Sequence, residues 1–194
     1  MKNLGTLQML LYISPILMAV GWAVLVLLVE AFADDEGEFE RRGFIGHITL
    51  IGLGVLGALE YYLMQKLGSN AMLLFDGRVV IDGFFIQIAL IATTGAFLTV
   101  LLSPAYLDGH GIDFGEYYPL LLFSLSGMLV VASAADLMVL LIGIETMSLP
   151  IYALCGSWRK KAGASEREDR SNEASFKYFI MGAFSTAVSV YGIA

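Results

Sequence analysis

Cysteine is almost absent from this chain of 194 residues, which contains one, Cys155. A single cysteine cannot form an internal disulfide, and a metal site at this position lacks the further ligands that it would need. Lysine and arginine are also scarce, eleven in all, and five of these lie in one loop. Because the chain therefore has no basic face with interleaved aromatic residues, we expect no nucleic-acid partner.

Hydrophobic residues dominate instead. They make up 58% of the chain against 15% for charged residues, and the mean hydropathy is +0.77. This composition is typical of an integral membrane protein and not of a soluble core. The net charge of −7 says little about partners, because six of the eighteen acidic residues lie between Glu30 and Glu40, in a segment that we interpret as a solvated loop.

The long apolar runs predict an all-α, polytopic transmembrane helix bundle, with about six spans in a single domain. We place the spans at residues 7–29, 44–65, 81–103, 117–133, 137–156 and 173–194. The first run is too long for the apolar region of a secretory signal peptide, which favours an uncleaved helix. Within the second, the segment GLGVLG matches a dinucleotide-binding pattern, but inside a membrane helix its glycines indicate close helix packing.

Basic residues predict the orientation of these spans. The loops after the first, third and fifth spans hold seven Lys and Arg residues, whereas the N-terminus and the other two loops hold three. The positive-inside rule therefore places the N-terminus outside and the loop at residues 157–172 in the cytoplasm. This asymmetry depends almost entirely on the fifth loop.

The fifth predicted span, together with the preceding Asp136, has the sequence DLMVLLIGIETMSLPIYALCG. It carries Glu145 near its middle. An acidic residue costs about 2.5–3.5 kcal/mol at mid-membrane, so it normally faces a protein interior or a wet cavity and marks an ion or proton path. Ser148 and Tyr152 follow at i+3 and i+7, on the same helix face. Pro150 lacks an N–H, which predicts a loosened, hydratable turn beside the acid. The alternative is a polar cluster that only packs helices together.

The sixth predicted span begins with two charged residues, Glu173 and Lys177, spaced for an i, i+4 ion pair. Two interpretations of Lys177 remain open, since its side chain can snorkel outward or point into the bundle toward a carboxylate. Small residues further along the span predict a face for tight packing against another helix. They are Gly182, Ser185, Ser189 and Gly192.

These segments resemble a known family. The run GIETMSLPIYALCG, preceded by SAADLMVLLI and followed after a polar loop by EASFKYFIMGAFSTAVSVYG, is similar to subunit N of the proton-pumping NADH-quinone oxidoreductase, respiratory complex I. The resemblance is strongest from Tyr117 to the end of the chain and less specific before it, where VVIDGFF opens the third span. The pattern Glu-x-x-Ser-Leu-Pro-x-Tyr resembles subunit N more than its paralogues L and M.

The resemblance implies the first part of an antiporter-like inverted-repeat fold. Glu145 matches the central acid of the family's fifth helix, and Glu173 and Lys177 match the charged pair at the start of its sixth. The family's next helix carries the lysine that pairs with the central acid. Because this chain ends at Ala194, before that helix, we expect it to be either the N-terminal portion of a longer protein or a truncated product.

The implied function is that of a non-redox subunit of a bacterial inner-membrane translocase, which contributes to proton translocation coupled to quinone reduction. Its partners would be the lipid bilayer and other membrane subunits of complex I. We expect this chain to bind no cofactor or metal, with FMN, iron–sulfur clusters and quinone such as ubiquinone held by other subunits. Two alternatives remain: a subunit of a multisubunit cation/proton antiporter or membrane-bound hydrogenase, and a non-catalytic membrane scaffold.

Overall fold

A computed structural model describes residues 6–32, 38–68, 70–110, 116–157 and 166–193. The elements, in order, are α1 (Thr6–Phe32), α2 (Glu38–Leu67), β1 (Met72–Leu74), β2 (Val79–Ile81), α3 (Gly83–His110), α4 (Tyr117–Ser133), α5 (Leu137–Cys155) and α6 (Glu166–Ile193). The predicted helical bundle is confirmed. Among the described residues, five helices are long and apolar enough to cross a membrane, and α4 is a shorter apolar helix of 17 residues.

Three helix starts differ from those expected. The second helix, α2, begins at Glu38 and not at residue 44, and α1 continues to Phe32, so Glu30, Glu38 and Glu40 lie in helices and not in the loop that we interpreted between Glu30 and Glu40. The predicted third span includes Ile81, but Ile81 belongs to β2, and α3 begins after Asp82, whose Oδ1 accepts a hydrogen bond of 2.8 Å from the N–H of Phe85. A side-chain acceptor at this position is a typical helix N-cap. The sixth helix begins at Glu166 and not at Glu173, so the second part of the predicted loop at 157–172 is helical. Residues 158–165 of that loop lie outside the described ranges.

The buried core is formed by α1, α2, α3 and α4 together with the hairpin of β1 and β2. In a membrane, where lipid is as apolar as the side chains, close packing and interhelical hydrogen bonds hold helices together. Gly52 provides such a contact, because a Cβ atom there would lie 2.0 Å from Nε1 of Trp22. That indole nitrogen donates a hydrogen bond of 3.2 Å to the carbonyl of Ile48. The glycine-rich segment of α2 therefore packs helices at Gly52, whereas Gly54 faces open space.

The hairpin is antiparallel and pairs Met72 with Ile81 and Leu74 with Val79. It contacts the turn between α4 and α5, where the N–H of Ala135 donates a hydrogen bond of 2.9 Å to the carbonyl of Arg78. The loop after the second helix and the loop after the fourth therefore lie at the same end of the bundle, as alternating membrane spans require.

Candidate functional site

Close contact with α4 fixes the rotation of α5 on both sides of Glu145. A Cβ atom at Gly127 of α4 would lie 2.3 Å from the backbone nitrogen of Met147, and one at Gly143 of α5 would lie 2.8 Å from that of Val131. Gly143 and Met147 each lie two residues from Glu145, which is about 200° around an α-helix. Because these two positions face α4, Glu145 faces away from it.

The side chain of Glu145 meets α6. The hydroxyl of Thr186 donates a hydrogen bond to Oε1 of Glu145, which is half-buried between the two helices. Glu145 is the ninth of the 19 residues of α5 and so lies near the middle of the helix. The prediction singled out Glu145 but not Thr186, because a threonine in a long helix carries no signal that it faces an acid on another helix.

Two serines of α6 complete the C-terminal end of α5. The hydroxyls of Ser175 and Ser171 donate hydrogen bonds of 2.7 Å each to the carbonyls of Tyr152 and Cys155. The last four carbonyls of an α-helix have no partner within the helix, so these bonds satisfy groups that would otherwise be costly in a membrane. The end of α5 is therefore attached to the beginning of α6.

The predicted small face of α6 is only partly the face that packs on α5. A Cβ atom at Gly182 would lie 2.0 Å from the hydroxyl oxygen of Tyr152, so this glycine does permit close packing. Ser189, in contrast, donates to the carbonyl of Ser185 in its own helix, and Gly192 has nothing near it. The face that hydrogen-bonds to α5 or approaches it closely is instead formed by Ser171, Ser175, Gly182 and Thr186.

The other predicted residues of α5 lie within its packed part. Tyr152 is buried, and its ring makes edge-to-face contacts with two rings of α6. The ring centroids lie 4.8 Å apart for Tyr178 and 6.0 Å apart for Phe179. Pro150 is buried, Ser148 is half-buried, and α5 remains α-helical through the proline to Cys155. The hydroxyl of Tyr152 therefore lies against α6 at Gly182, between the contact of Glu145 with Thr186 and the serine contacts at the end of α5.

Glu173 and Lys177 pair with each other, but the structure does not bring them to Glu145. Nζ of Lys177 donates to Oε1 of Glu173, and the two side chains are 69% and 61% exposed. Lys177 precedes Thr186 by nine residues, which is about 13 Å along the helix and about 180° around it. The ion pair therefore lies on the face of α6 opposite to the one that holds Glu145.

A second acid inside the bundle was not among the predicted site residues. Glu60 of α2 is fully buried, and the hydroxyl of Thr93 in α3 donates a hydrogen bond of 2.9 Å to its Oε1. Glu60 is a lone acid within the predicted span 44–65, which is the same signal that identified Glu145. Within the described part of the chain, no three His, Cys, Asp or Glu side chains are grouped so as to hold a metal ion.

Comparison with known proteins gives concordant matches. Residues 134–194, which include α5 and α6, match the family described as NADH:quinone oxidoreductase/Mrp antiporter, TM. The chain is 36% identical over 182 residues to NADH-quinone oxidoreductase subunit N of Chloroflexus aggregans, covering 94% of this chain and 34% of that protein. It is 36% identical over 179 residues to subunit N of Trichlorobacter lovleyi, covering 92% and 33%.

A solved structure shares the fold. A chain in the structure of respiratory complex I from Thermus thermophilus with bound aureothin superposes with a TM-score of 0.66 at 27% sequence identity, covering 92% of this chain and 35% of that one. The present chain thus spans about a third of the length of the relatives that it matches.

Proposed function

This chain belongs to the NADH-quinone oxidoreductase subunit N family, and from that premise we propose that it is a non-redox subunit that contributes to proton translocation coupled to quinone reduction. The observation that carries the proposal is the carboxyl group of Glu145, placed near the middle of α5 and hydrogen-bonded by Thr186 across a helix interface. Acidic groups in that position are costly, and in membrane proteins they mark ion and proton paths.

The chemistry of the contact suits a group that gains and loses protons. An ionised carboxylate only accepts hydrogen bonds, a protonated carboxyl also donates one, and a threonine hydroxyl can do both. Thr186 can therefore stay bonded to Glu145 in either protonation state. Proton exchange at Glu145 then costs no interhelical hydrogen bond, so α5 and α6 can remain packed through the cycle.

We assign Glu173 and Lys177 to the opposite face of α6. Lysine offers three donors, of which the bond to Glu173 uses one, so Lys177 can bind a further acceptor outside the described bundle. In this proposal α6 stands between two charged sites, with Glu145 on one side and Lys177 on the other. A charge that moves near Lys177 alters the potential at Glu145 through the low-dielectric helix between them.

We also propose that the protein lies in the bacterial inner membrane, with its N-terminus outside and residues 157–172 in the cytoplasm. Its partners are the other membrane subunits of complex I and the bilayer, while FMN, iron–sulfur clusters and quinone are held by other subunits. The shared end of the hairpin and the turn between α4 and α5 supports the alternation of loops on which this orientation depends.

One observation favours the alternative of a membrane scaffold. Ser171 and Ser175 donate to carbonyls in the last turn of α5, and these contacts serve packing alone. In that alternative Glu145 and Thr186 form one more packing contact, and the charge of the carboxyl group has no function.

A substitution at Glu145 distinguishes the proton-translocation proposal from the scaffold alternative. In the complete complex, Glu145→Gln keeps size and hydrogen-bonding capacity but cannot ionise. We expect normal assembly and loss of most quinone-coupled proton translocation, measured in reconstituted vesicles with a pH-sensitive dye, and Glu145→Asp to retain more. The control is Glu116→Gln, the same chemical change at an exposed position before α4, which should leave translocation intact. Wild-type translocation in Glu145→Gln would favour the scaffold.

A further inference from the structure

Glu60 lies on the inward face of α2, where the other buried residues named below are apolar except for Thr49. The residues of this face recur every three or four positions, which is the spacing of one side of a helix. Each is at most 2% exposed: Ile45, Thr49, Leu53, Leu56, Glu60, Leu63 and Leu67. An acid in this series places a polar group in the apolar core formed by α1 to α4, and such burial costs free energy. Packing alone therefore does not account for Glu60.

The site is deep within the bundle. Glu60 precedes the end of α2 at Leu67 by seven residues, which is about 10 Å along the axis. Its partner Thr93 follows the start of α3 at Gly83 by ten residues, about 15 Å along that helix. Both residues lie within candidate membrane spans, Gly43–Leu67 and Gly83–Leu107.

One oxygen of the Glu60 carboxyl group is satisfied and the other is not. Thr93 donates to Oε1 at 2.9 Å, whereas Oε2 is buried and has no hydrogen-bond partner among the described residues. Gly57, three residues before Glu60, faces the same threonine, since a Cβ atom there would lie 3.8 Å from its Cγ2. Oε2 of Glu60 is therefore buried where α2 and α3 are in contact, without a hydrogen-bond partner among the described residues.

Among the side chains that the structure describes, no basic one faces the site from the surrounding helices. Residues 6–29 of α1, 83–107 of α3 and 117–133 of α4 contain no Lys, Arg, His, Asp or Glu. On α2 itself, His47 and Lys66 are exposed, and Glu30 lies near the end of α1, at the opposite end of the bundle from the loop that joins α2 to α3. Glu60 thus has no ionic partner within the described chain, in contrast to a structural ion pair.

We propose that Glu60 is a second proton-binding residue of the bundle, separate from Glu145, and that Thr93 is its positioning residue. A proton from water binds at Oε2 and returns to water, with no other reactant. A proton on Oε2 removes the charge and leaves the bond from Thr93 to Oε1 in place, whereas a metal cation would require more oxygen ligands than this site offers. The proposal rests on the proposed function, since the proton held here belongs to those that the protein moves.

Infrared difference spectroscopy of the complete complex, perfused at two pH values in H₂O and D₂O, detects individual protonated carboxyl groups by their carbonyl stretch. We expect Glu60→Gln to remove one such band that Glu145→Gln leaves in place, and Thr93→Val to shift it. Thr49→Val is the matched control, because Thr49 is equally buried on the same face of α2 but donates to the carbonyl of Ile45 in its own helix. It should leave the band unmoved.

Translocation measurements complete the test. Glu60→Gln should lower the number of protons moved per electron by a factor of two or more. An assembled Glu60→Gln complex with wild-type bands and a wild-type proton ratio would overturn the proposal, and so would a band that Thr93→Val and Thr49→Val shift equally. If Glu60→Gln does not assemble, the two threonine variants decide the question.

The outcomes separate this proposal from the proposed function. Loss of translocation in Glu145→Gln, together with wild-type bands and a wild-type proton ratio in Glu60→Gln, overturns only the role of Glu60. Wild-type translocation in Glu145→Gln, together with a band that depends on Glu60, overturns only the role of Glu145 and supports the second site.

Discussion

The contact between Gly127 of α4 and the backbone of Met147 in α5 should control the orientation of Glu145. In Gly127→Ala, the new Cβ atom would lie 2.3 Å from the backbone nitrogen of Met147, about 1 Å closer than ordinary contact, which begins at 3.4 Å. Because the atom that it meets belongs to the backbone of a helix, no side-chain rotation relieves the overlap. The two helices must separate or turn.

This displacement of the helices should lower the free energy gained by packing α4 against α5. Overpacking of a well-packed contact costs about 1–3 kcal/mol, which is roughly 5- to 150-fold in an equilibrium constant. Gly95→Ala in α3 is the matched control, since Gly95 is exposed in a helix and a Cβ atom there would have no neighbour within 4 Å. There the exchange should be neutral or stabilise the helix by up to about 1 kcal/mol.

Two assays measure the effect. We expect Gly127→Ala to lower the amount of assembled complex and the midpoint of thermal inactivation, and to reduce proton translocation in the complex that does assemble, because α5 no longer presents Glu145 to Thr186 in the same orientation. Gly95→Ala should change none of these. Equal behaviour of the two alanine variants would refute the reasoning that this contact orients α5.

Three further predictions concern other parts of the chain. Lys177→Ala should reduce translocation with near-normal assembly, and Lys177→Arg should be milder because the charge survives; wild-type rates in both, measured in vesicles, would remove Lys177 from the site. Asp136→Ala should lower thermal stability more than Arg78→Ala. Asp136 accepts a capping hydrogen bond of 3.1 Å from the N–H of Met138, and such a cap typically stabilises a protein by about 0.5–2 kcal/mol. Its exposed ion pair with Arg78, at 3.9 Å, contributes only about 0–1 kcal/mol. Asp76→Cys in a Cys155→Ala background should react rapidly with a membrane-impermeant thiol reagent in intact cells, since it places a cysteine at the hairpin tip; protection there would invert the topology.

The helical architecture could be predicted because lipid imposes a length and a composition on each span. The hairpin could not, since β1 and β2 have three residues each, and so short an apolar run reads equally well as the start of the next helix. Phe75 and Asp76 at its tip adopt positive φ angles of 51° and 56°, a conformation that their residue types do not predict.

The site could be predicted in part. Glu145 is visible because an acid in a long apolar run is costly, and Glu60 carries the same signal in the second span. Which helix each acid faces depends on the rotation of its helix, and this is set by contacts such as Gly127 on Met147 that join residues distant in sequence. For that reason neither Thr186 nor Thr93 could be assigned as a partner from the sequence, and the orientation of Lys177 away from Glu145 could not be decided.

The most direct test of the central claim is a double-mutant cycle on Glu145 and Thr186, read out as protons translocated per electron in the complete complex. If the two residues act as one proton-handling unit, Thr186→Val lowers the ratio in the wild-type background but has no further effect once Glu145→Gln is present, because coupled residues are not additive. If the two substitutions reduce the ratio independently, or if neither changes it, the Glu145–Thr186 contact is not a proton-handling unit.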